Sequence, residues 1–203
     1  MSDLMQKAIA ALENRGFPVR HAVTKAQAAD LVREMIAPGA SVGVGGSVTI
    51  QELDVVDGLI AQGHPVYWHW LKTHPPREAH ALAATADVYL TSANAITDGG
   101  LIVNIDRTGN RVGAMIDGPK QVVIVAGANK LVEGGVPQAI ARIKTVACPM
   151  NARRLGLDTP CAREGRCNAD ACTASMCGVT SVIERSLHSH PITVILVDEE
   201  VGY

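Results

Sequence analysis

Aromatic residues make up only 3% of the 203 residues, with one Phe, two Trp and three Tyr. So few ring faces exclude the stacking platforms of single-strand nucleic-acid binders. Positive charge is sparse too: 18 Lys and Arg stand against 20 Asp and Glu, a formal net charge of −2, and there is no basic block. Nucleic acid is therefore excluded as the main partner, because phosphate binding needs clustered cations. No apolar run reaches the roughly 18–20 residues of a membrane-spanning helix. The opening MSDLMQKAIAALENRG carries acids early and no cationic start to an apolar core, so it does not read as a secretory signal. A reducing, cytoplasmic location is the expectation. Also missing are the G-x-x-x-x-G-K-S/T phosphate loop, the G-x-G-x-x-G dinucleotide fingerprint and the HExxH metal motif. The chain is not expected to take up a hydride by itself. What it has is 47% hydrophobic and 19% charged residues, enough for one domain with a sizeable core.

Periodicity predicts alternating helices and strands. SDLMQKAIAALENRG reads as a helix with Ser2 as N-cap and Gly16 as stop, and FPVRHAV as a strand. TKAQAADLVREMIAPG opens on a capping box of Thr24 and Gln27. SVGVGG is strand-like, and TIQELDVVDGLIAQG reads as one helix burying Ile50, Leu53, Val56 and Ile60. PVYWHW follows as a strand and PREAHALAATAD as a helix. VYLTSANAIT and GLIVNID read as two strands joined by a hairpin at Asp98, Gly99 and Gly100. KQVVIVAG is a continuous apolar run, the mark of a strand buried on both faces. VPQAIARIKTVACPMNARRLG holds a helix that Pro149 should end or kink. TSVIERS and ITVILVDEE are strand-like. The order predicts a single three-layer α/β domain over residues 1–203, with a mainly parallel sheet and an antiparallel hairpin addition. Residues 149–178 are expected to form a Cys-rich excursion from it.

The stretch VGVGGSVTIQE, residues 42–52, lies at the carboxyl end of a predicted central strand, where open α/β sheets bind ligands. Gly43, Gly45 and Gly46 allow unusual backbone angles and close approach to the amides. Amides over Ser47 to Thr49 would favour an anion. Thr49 and Glu52 also fit a capping box, in which Glu52 would only satisfy helix amides. The alternative is a ligand-facing acid, with Glu52 as base or nucleophile.

A second polar cluster, NIDRTGNR, offers Asn104, Asp106, Thr108, Asn110 and Arg111. Arg111 is suited to holding a carboxylate bidentately, although Asp, Gly and Asn are also ordinary turn residues. Asn129 and Lys130 follow the most apolar strand, where a lysine would neutralise a substrate anion or merely open a solvated loop. His64, His69, His74 and His80 are spaced five, five and six apart, which puts them on no common helical face. No histidine metal site is expected there.

CAREGRCNADACTASMC concentrates Cys161, Cys167, Cys172 and Cys177, with Cys148 upstream. Four thiols this close in a reducing compartment suggest a four-thiolate site, iron–sulfur or zinc. The intervals are wider than the C-x2-C pairs of zinc ribbons, and a metal-free reduced loop is the third alternative. Cys148 reads as an extra thiol beside the helix end.

Taken in order, GVGGSVTIQE, ITDGGLIVNIDRTGNRVGAMIDGPKQVVIVAGANKLV and NARRLGLDTPCAREGRC resemble the lactate-utilization (LUD) domain family. The resemblance runs from about residue 4 to the end. It implies a fold related to the ribose-phosphate isomerase, glucosamine-phosphate deaminase and CoA-transferase group, in which a glycine-rich loop holds phosphate or CoA-linked substrates. It also implies a link to lactate oxidation beside iron–sulfur subunits, which tilts the cysteine site toward an iron–sulfur cluster of the 4Fe-4S type. Resembling members carry two residues rather than four between the second and third cysteines, so register over 168–176 differs here. Three readings follow. The first is an accessory or electron-transfer subunit of 2-hydroxy-acid oxidation, with a small anionic metabolite bound by Gly45, Gly46, Ser47, Thr49, Asn104, Asp106, Asn110, Arg111, Asn129 and Lys130. The second is an independent enzyme on a phosphorylated or CoA-linked substrate, with Glu52 catalytic. The third is a non-catalytic redox or metal sensor. Oligomeric state stays open, a homo-oligomer included.

Overall fold

The computed structural model describes residues 1–187 and 190–203. The first half holds α1 (Asp3–Asn14), β1 (Val19–Ala22), α2 (Lys25–Glu34), β2 (Val42–Val44), α3 (Val48–Glu52), α4 (Val56–Ala61), β3 (Val66–Tyr67), α5 (Pro76–Ala83), β4 (Val88–Thr91) and β5 (Ala95–Thr97). Then come β6 (Ile102–Asp106), α6 (Asn110–Ile116), β7 (Gln121–Gly127), a 3-10 turn over Ala128–Lys130, β8 (Leu131–Val132) and α7 (Val136–Arg142). A π-helical stretch over Ile143–Ala147 leads into α8 (Cys148–Arg154), followed by α9 (Pro160–Glu164), β9 (Val179–Ile183) and β10 (Ile192–Val197).

Local rules set most boundaries. Ser2 caps α1 by accepting from the Met5 amide, and Gly16 ends it at φ +81°. Thr24 caps α2 by accepting from the Gln27 amide, while Gln27 Oε1 accepts from Val23 rather than closing a capping box on Thr24. The single helix expected over 49–63 is two, α3 and α4, broken at Asp54 with φ 53°. The reason is burial: Leu53, Val55 and Val56 are all inside, which no straight helix face allows, and Ile60 is left 45% exposed. Pro149 does not end its helix. The wider π turn before it absorbs the hydrogen bond that proline cannot make, and α8 resumes with Pro149 in its first turn. The segment VYLTSANAIT is likewise two strands, β4 and β5, which belong to different sheets.

Six parallel strands form the main sheet in the order β1-β10-β7-β4-β2-β3. The glycine-loop strand β2 and the apolar β7 flank β4, so they are near neighbours as expected. Side chains of β7 alternate between two cores. Val122, Ile124 and Ala126 pack with α1 residues Met5, Ala8 and Leu12, and Val123 and Val125 pack with α2 and α3 residues Ala28, Val32 and Ile50. Helices on both faces make three layers. The hairpin addition is a four-stranded mixed sheet, β8-β5-β6-β9, with β5–β6 and β6–β9 antiparallel and β5–β8 parallel. Its outer face packs Val103 and Ile105 against Ala139, Ile143 and Ala147 of the α7–α8 segment. Residues 149–178 hold most of α8 and all of α9 before an irregular run to β9.

Gly43 is where α5 lies directly on β2. A Cβ there would stand 2.3 Å from the Ala83 carbonyl oxygen. Gly43→Ala is expected to cost about 2–3 kcal/mol by overpacking, read as a lower urea midpoint at unchanged slope. A midpoint within error of wild type would contradict this helix-on-strand contact.

Candidate functional site

The carboxyl ends of β2, β4 and β7 lie side by side, and their loops deliver residues 45–49, 92–94 and 128–130 to one edge of the sheet. A cavity of about 150 Å³ opens there. Its wall includes Gly46, Ser47, Thr49, Ser92, Asn94 and Lys130 from these loops, and Asp106, Asn110 and Arg111 from the end of β6 and the start of α6. The far side is Cys148, Asn151, Met176 and the last residue, Tyr203.

Lys130 is the central group. It is 2% exposed, because the 3-10 turn after β7 folds its side chain back into the protein. Nζ donates to Thr49 Oγ1 at 2.6 Å and to Ser92 Oγ at 2.8 Å. Both hydroxyl protons are already committed: Thr49 donates to the Val201 carbonyl at 3.3 Å and Ser92 to the Ala93 carbonyl at 3.2 Å. Among the described residues Lys130 has no carboxylate within ion-pair distance. Burial above all, then the positive charges of Arg142 and Arg111, hold its amine down to about 7.

Arg111 does something other than expected. Its Nε donates to Asp106 at 3.1 Å, Nη1 to the Ser92 carbonyl and Asn104 Oδ1 at 2.9 Å each, and Nη2 to Asn94 Oδ1 at 3.0 Å. Four of the five guanidinium donors that arginine possesses are thus spent on the protein, and the bidentate carboxylate grip is not on offer. Asp106 also accepts from the Arg111 amide at 3.2 Å and so caps α6, whose Gly109 has no side chain to do it. Arg111 and Asp106 form a neutral strut that ties the second sheet to the Ser92 loop.

Several residues proposed from sequence stand elsewhere. The capping box does not form, since Ser47 is the N-cap of α3 and accepts from the Ile50 amide. Glu52 is exposed, lies outside the cavity wall, and accepts from the Gly202 amide at 2.9 Å. Asn129 turns away to hold the tail, with Nδ2 donating to the Gly202 carbonyl and Oδ1 accepting from the Val201 amide. Asn104 sits behind Arg111, fully buried. Gly45 serves packing rather than ligand approach: a Cβ would meet Tyr89 Oη at 2.9 Å, and its φ is not positive. Lys130, Thr49, Ser47, Gly46, Asp106, Asn110 and Arg111 do share the cavity.

Sequence reasoning missed Ser92 and Asn94 because they were read as part of one strand. The polar Ser-Ala-Asn interruption of an apolar run was the available signal. It also missed the tail: Tyr203 Oη donates to Asn151 Oδ1 at 2.8 Å and accepts from Arg154 Nε at 2.8 Å. Nothing in VGY announces this.

The cysteines line a second, smaller cavity that shares Cys148 and Met176 with the first. All five thiols are on its wall, Cys148 among them. Cys148 and Cys177 are the close pair, with sulfurs 3.5 Å apart. Either sulfur can be the donor, and the contact lowers the Cys177 pKa and raises that of Cys148. Lys144 beside them favours the Cys177 thiolate further. Cys161 bonds Thr159 at 3.2 Å instead. Among the described residues no three metal-competent side chains converge, so the arrangement does not fit a four-thiolate site as it stands. Cys148, read from sequence as an extra thiol beside the helix end, is buried at the start of α8 and lies on the same wall as the other four.

A three-layer α/β fold with a lysine-centred cavity at the sheet's carboxyl edge thus defines the class. The LUD domain model matches residues 5–197, and the chain belongs to the LUD domain family, which is associated with lactate utilization. Among solved structures it is similar to a DUF162 family protein from Deinococcus radiodurans, 16% identical, covering 97% of this chain and 99% of that one with a TM-score of 0.58. That likeness carries the fold alone. No curated protein matches. Among the described residues no helix is long and apolar enough to cross a membrane.

An amine whose folded pKa lies below its unfolded value penalises folding in full below the folded pKa, and the penalty fades with rising pH where the unfolded chain is protonated and the folded one is not. Stability should therefore rise with pH between about 7 and 10.5, the window set by Lys130, and the penalty should be largest below it. Lys130→Met is expected to remove that slope and to add on the order of 2 kcal/mol at pH 7, since it deletes a buried charge. Urea unfolding at neutral and alkaline pH checks this. A variant that keeps the slope would show that Lys130 is not the buried group responsible.

Proposed function

We propose that the cavity binds a small anionic metabolite of the 2-hydroxy- or 2-oxo-acid class. On this reading the chain serves 2-hydroxy-acid oxidation as an accessory or electron-transfer subunit. One observation carries it: a lysine 2% exposed, on the wall of a cavity, held only by two neutral hydroxyls. Buried charges are ordinarily paired, and a protein that leaves one unpaired beside a cavity reserves it for a ligand. Half-buried Arg142, which donates to the Asn129 and Asn94 carbonyls, stands outside the cavity wall but close enough to lower the Lys130 pKa, and has no ion-paired carboxylate among the described residues. Since the Arg111–Asp106 pair is neutral, the local field is positive and selects an anion. The family's association with lactate utilization supplies the substrate class. Glu52, exposed and bound to Gly202, is not assigned a catalytic part.

Isothermal titration tests the anion reading. Lactate or pyruvate should bind saturably while uncharged lactamide does not. Lys130→Met should weaken binding at least tenfold, about 1.4 kcal/mol. Equal binding of lactate and lactamide would refute it.

The cysteine pocket supplies the electron-transfer half of the proposal. Five thiols on one wall are the donor type that zinc or an iron–sulfur cluster takes, although no three of them converge among the described residues. Ligation would require Cys161, Cys167 and Cys172 to close on the Cys148–Cys177 pair. Iron–sulfur subunits of a lactate-oxidising system would be the natural partners of such a centre. Anaerobic purification with metal and sulfide analysis tests it. Iron with sulfide is expected, and its loss in Cys148→Ala as well as in Cys177→Ala. Zinc alone would make the site structural, because zinc has no redox chemistry. Neither metal would remove the electron-transfer role.

A further inference from the structure

The hydrogen bonds around Lys130 constrain more than its charge. Thr49 and Ser92 both spend their protons on backbone carbonyls, so each hydroxyl can only accept from Nζ. Two N–H bonds of the amine are thereby fixed in direction. A neutral amine has two N–H bonds and one lone pair. With both N–H bonds anchored to hydroxyls, the remaining tetrahedral position is the lone pair, and Lys130 is on the wall of the cavity. The protonated form places its third N–H at the same position. One site therefore offers a cation or a nucleophile, according to protonation.

We infer that Lys130 is an imine-forming nucleophile and that the cavity takes a small 2-oxo acid whose carbonyl carbon it attacks. The inference rests on the anion reading given above and deepens it. A 2-oxo acid carries its carboxylate next to its electrophilic carbon, so one positive cavity can hold the first while Nζ reaches the second. In the step, the Nζ lone pair forms a bond to the carbonyl carbon as the C–O π bond opens, and one nitrogen proton passes to the oxygen to give the neutral carbinolamine. The carbinolamine then breaks its C–O bond as the nitrogen lone pair forms the C=N bond, and the second nitrogen proton leaves with the hydroxyl as water, giving the imine. One water is released, and nothing is oxidised or reduced. Burial, Arg142 and Arg111 lower the amine toward neutrality and Glu52 opposes them, so the nucleophilic form is populated near pH 7. Arg111, with four donors engaged, holds the Ser92 carbonyl in place and acts as a positioning residue.

Trapping with sodium cyanoborohydride tests this on the intact protein. Incubation with pyruvate and the reductant should add one carboxyethyl group, and peptide mapping should place it on Lys130 ahead of the exposed lysines. Lys130→Arg, which keeps the charge, and Lys130→Met should both abolish that adduct. Acetaldehyde, which has the carbonyl without the carboxylate, should trap at least tenfold more slowly. Pyruvate that binds in the titration yet is never trapped on Lys130 overturns the inference and leaves the anion reading standing. Labelling of exposed lysines at the same rate as Lys130 also overturns it. Acetaldehyde trapped on Lys130 as fast as pyruvate keeps the nucleophile and refutes the anion reading instead.

Discussion

An amine in the interior, with two hydroxyls and no carboxylate for company, is the constraint around which this edge of the protein is arranged. Desolvating an ammonium costs several kcal/mol, and two neutral hydrogen bonds return only part of it. The rest of the structure must hold the arrangement by force of packing. It does so through the sheet: Lys130, Ser92 and Thr49 stand after three adjacent parallel strands, whose register is set by ladders buried on both faces. Parallel strands end their loops on one side, which is why three unrelated segments meet there.

The remaining polar groups are braces for that meeting. Thr49 can accept from Lys130 because the Val201 carbonyl takes its proton, and Val201 is placed by Asn129 and by the Glu52 contact to Gly202. Ser92 is fixed through the Arg111 guanidinium, itself held by Asp106, Asn104 and Asn94. Glu52, Asn129 and Arg111 have chemistry of their own, but the hydrogen bonds they make here go to the protein: Glu52 to Gly202, Asn129 to the tail, and four of the five Arg111 donors to its neighbours. Cys148 and Met176 line both this cavity and the thiol pocket, so the two adjoin.

Much of this was legible in the chain. The apolar run at 121–127, read as a strand buried on both faces, is β7, and the glycine stretch does sit at a neighbouring strand end. Ser2 and Thr24 announced their helices. Lys130 was placed at the correct sheet edge because strand order and loop position follow from α/β pattern alone. What the pattern does not carry is direction within a loop: whether Asn129 or Lys130 turns inward depends on a single 3-10 turn. Nor does it carry competition between partners. Arg111 looks free in NIDRTGNR because Asn94, ten residues before Asn104, is brought to it only by the β5–β6 hairpin. Cys148 was discounted for the same reason: it is 29 residues from Cys177 in sequence and 3.5 Å from it in space.

The account stands on the state of one nitrogen. Lysine labelled with carbon-13 at Cε reports it directly by NMR, since the Cε resonance moves when Nζ loses its proton. The Lys130 signal should titrate with a midpoint near 7 in the free protein, and that midpoint should climb when lactate is added, because an anion favours the charged form. A Lys130 midpoint at the ordinary lysine value of 10.5, unmoved by lactate, would contradict it.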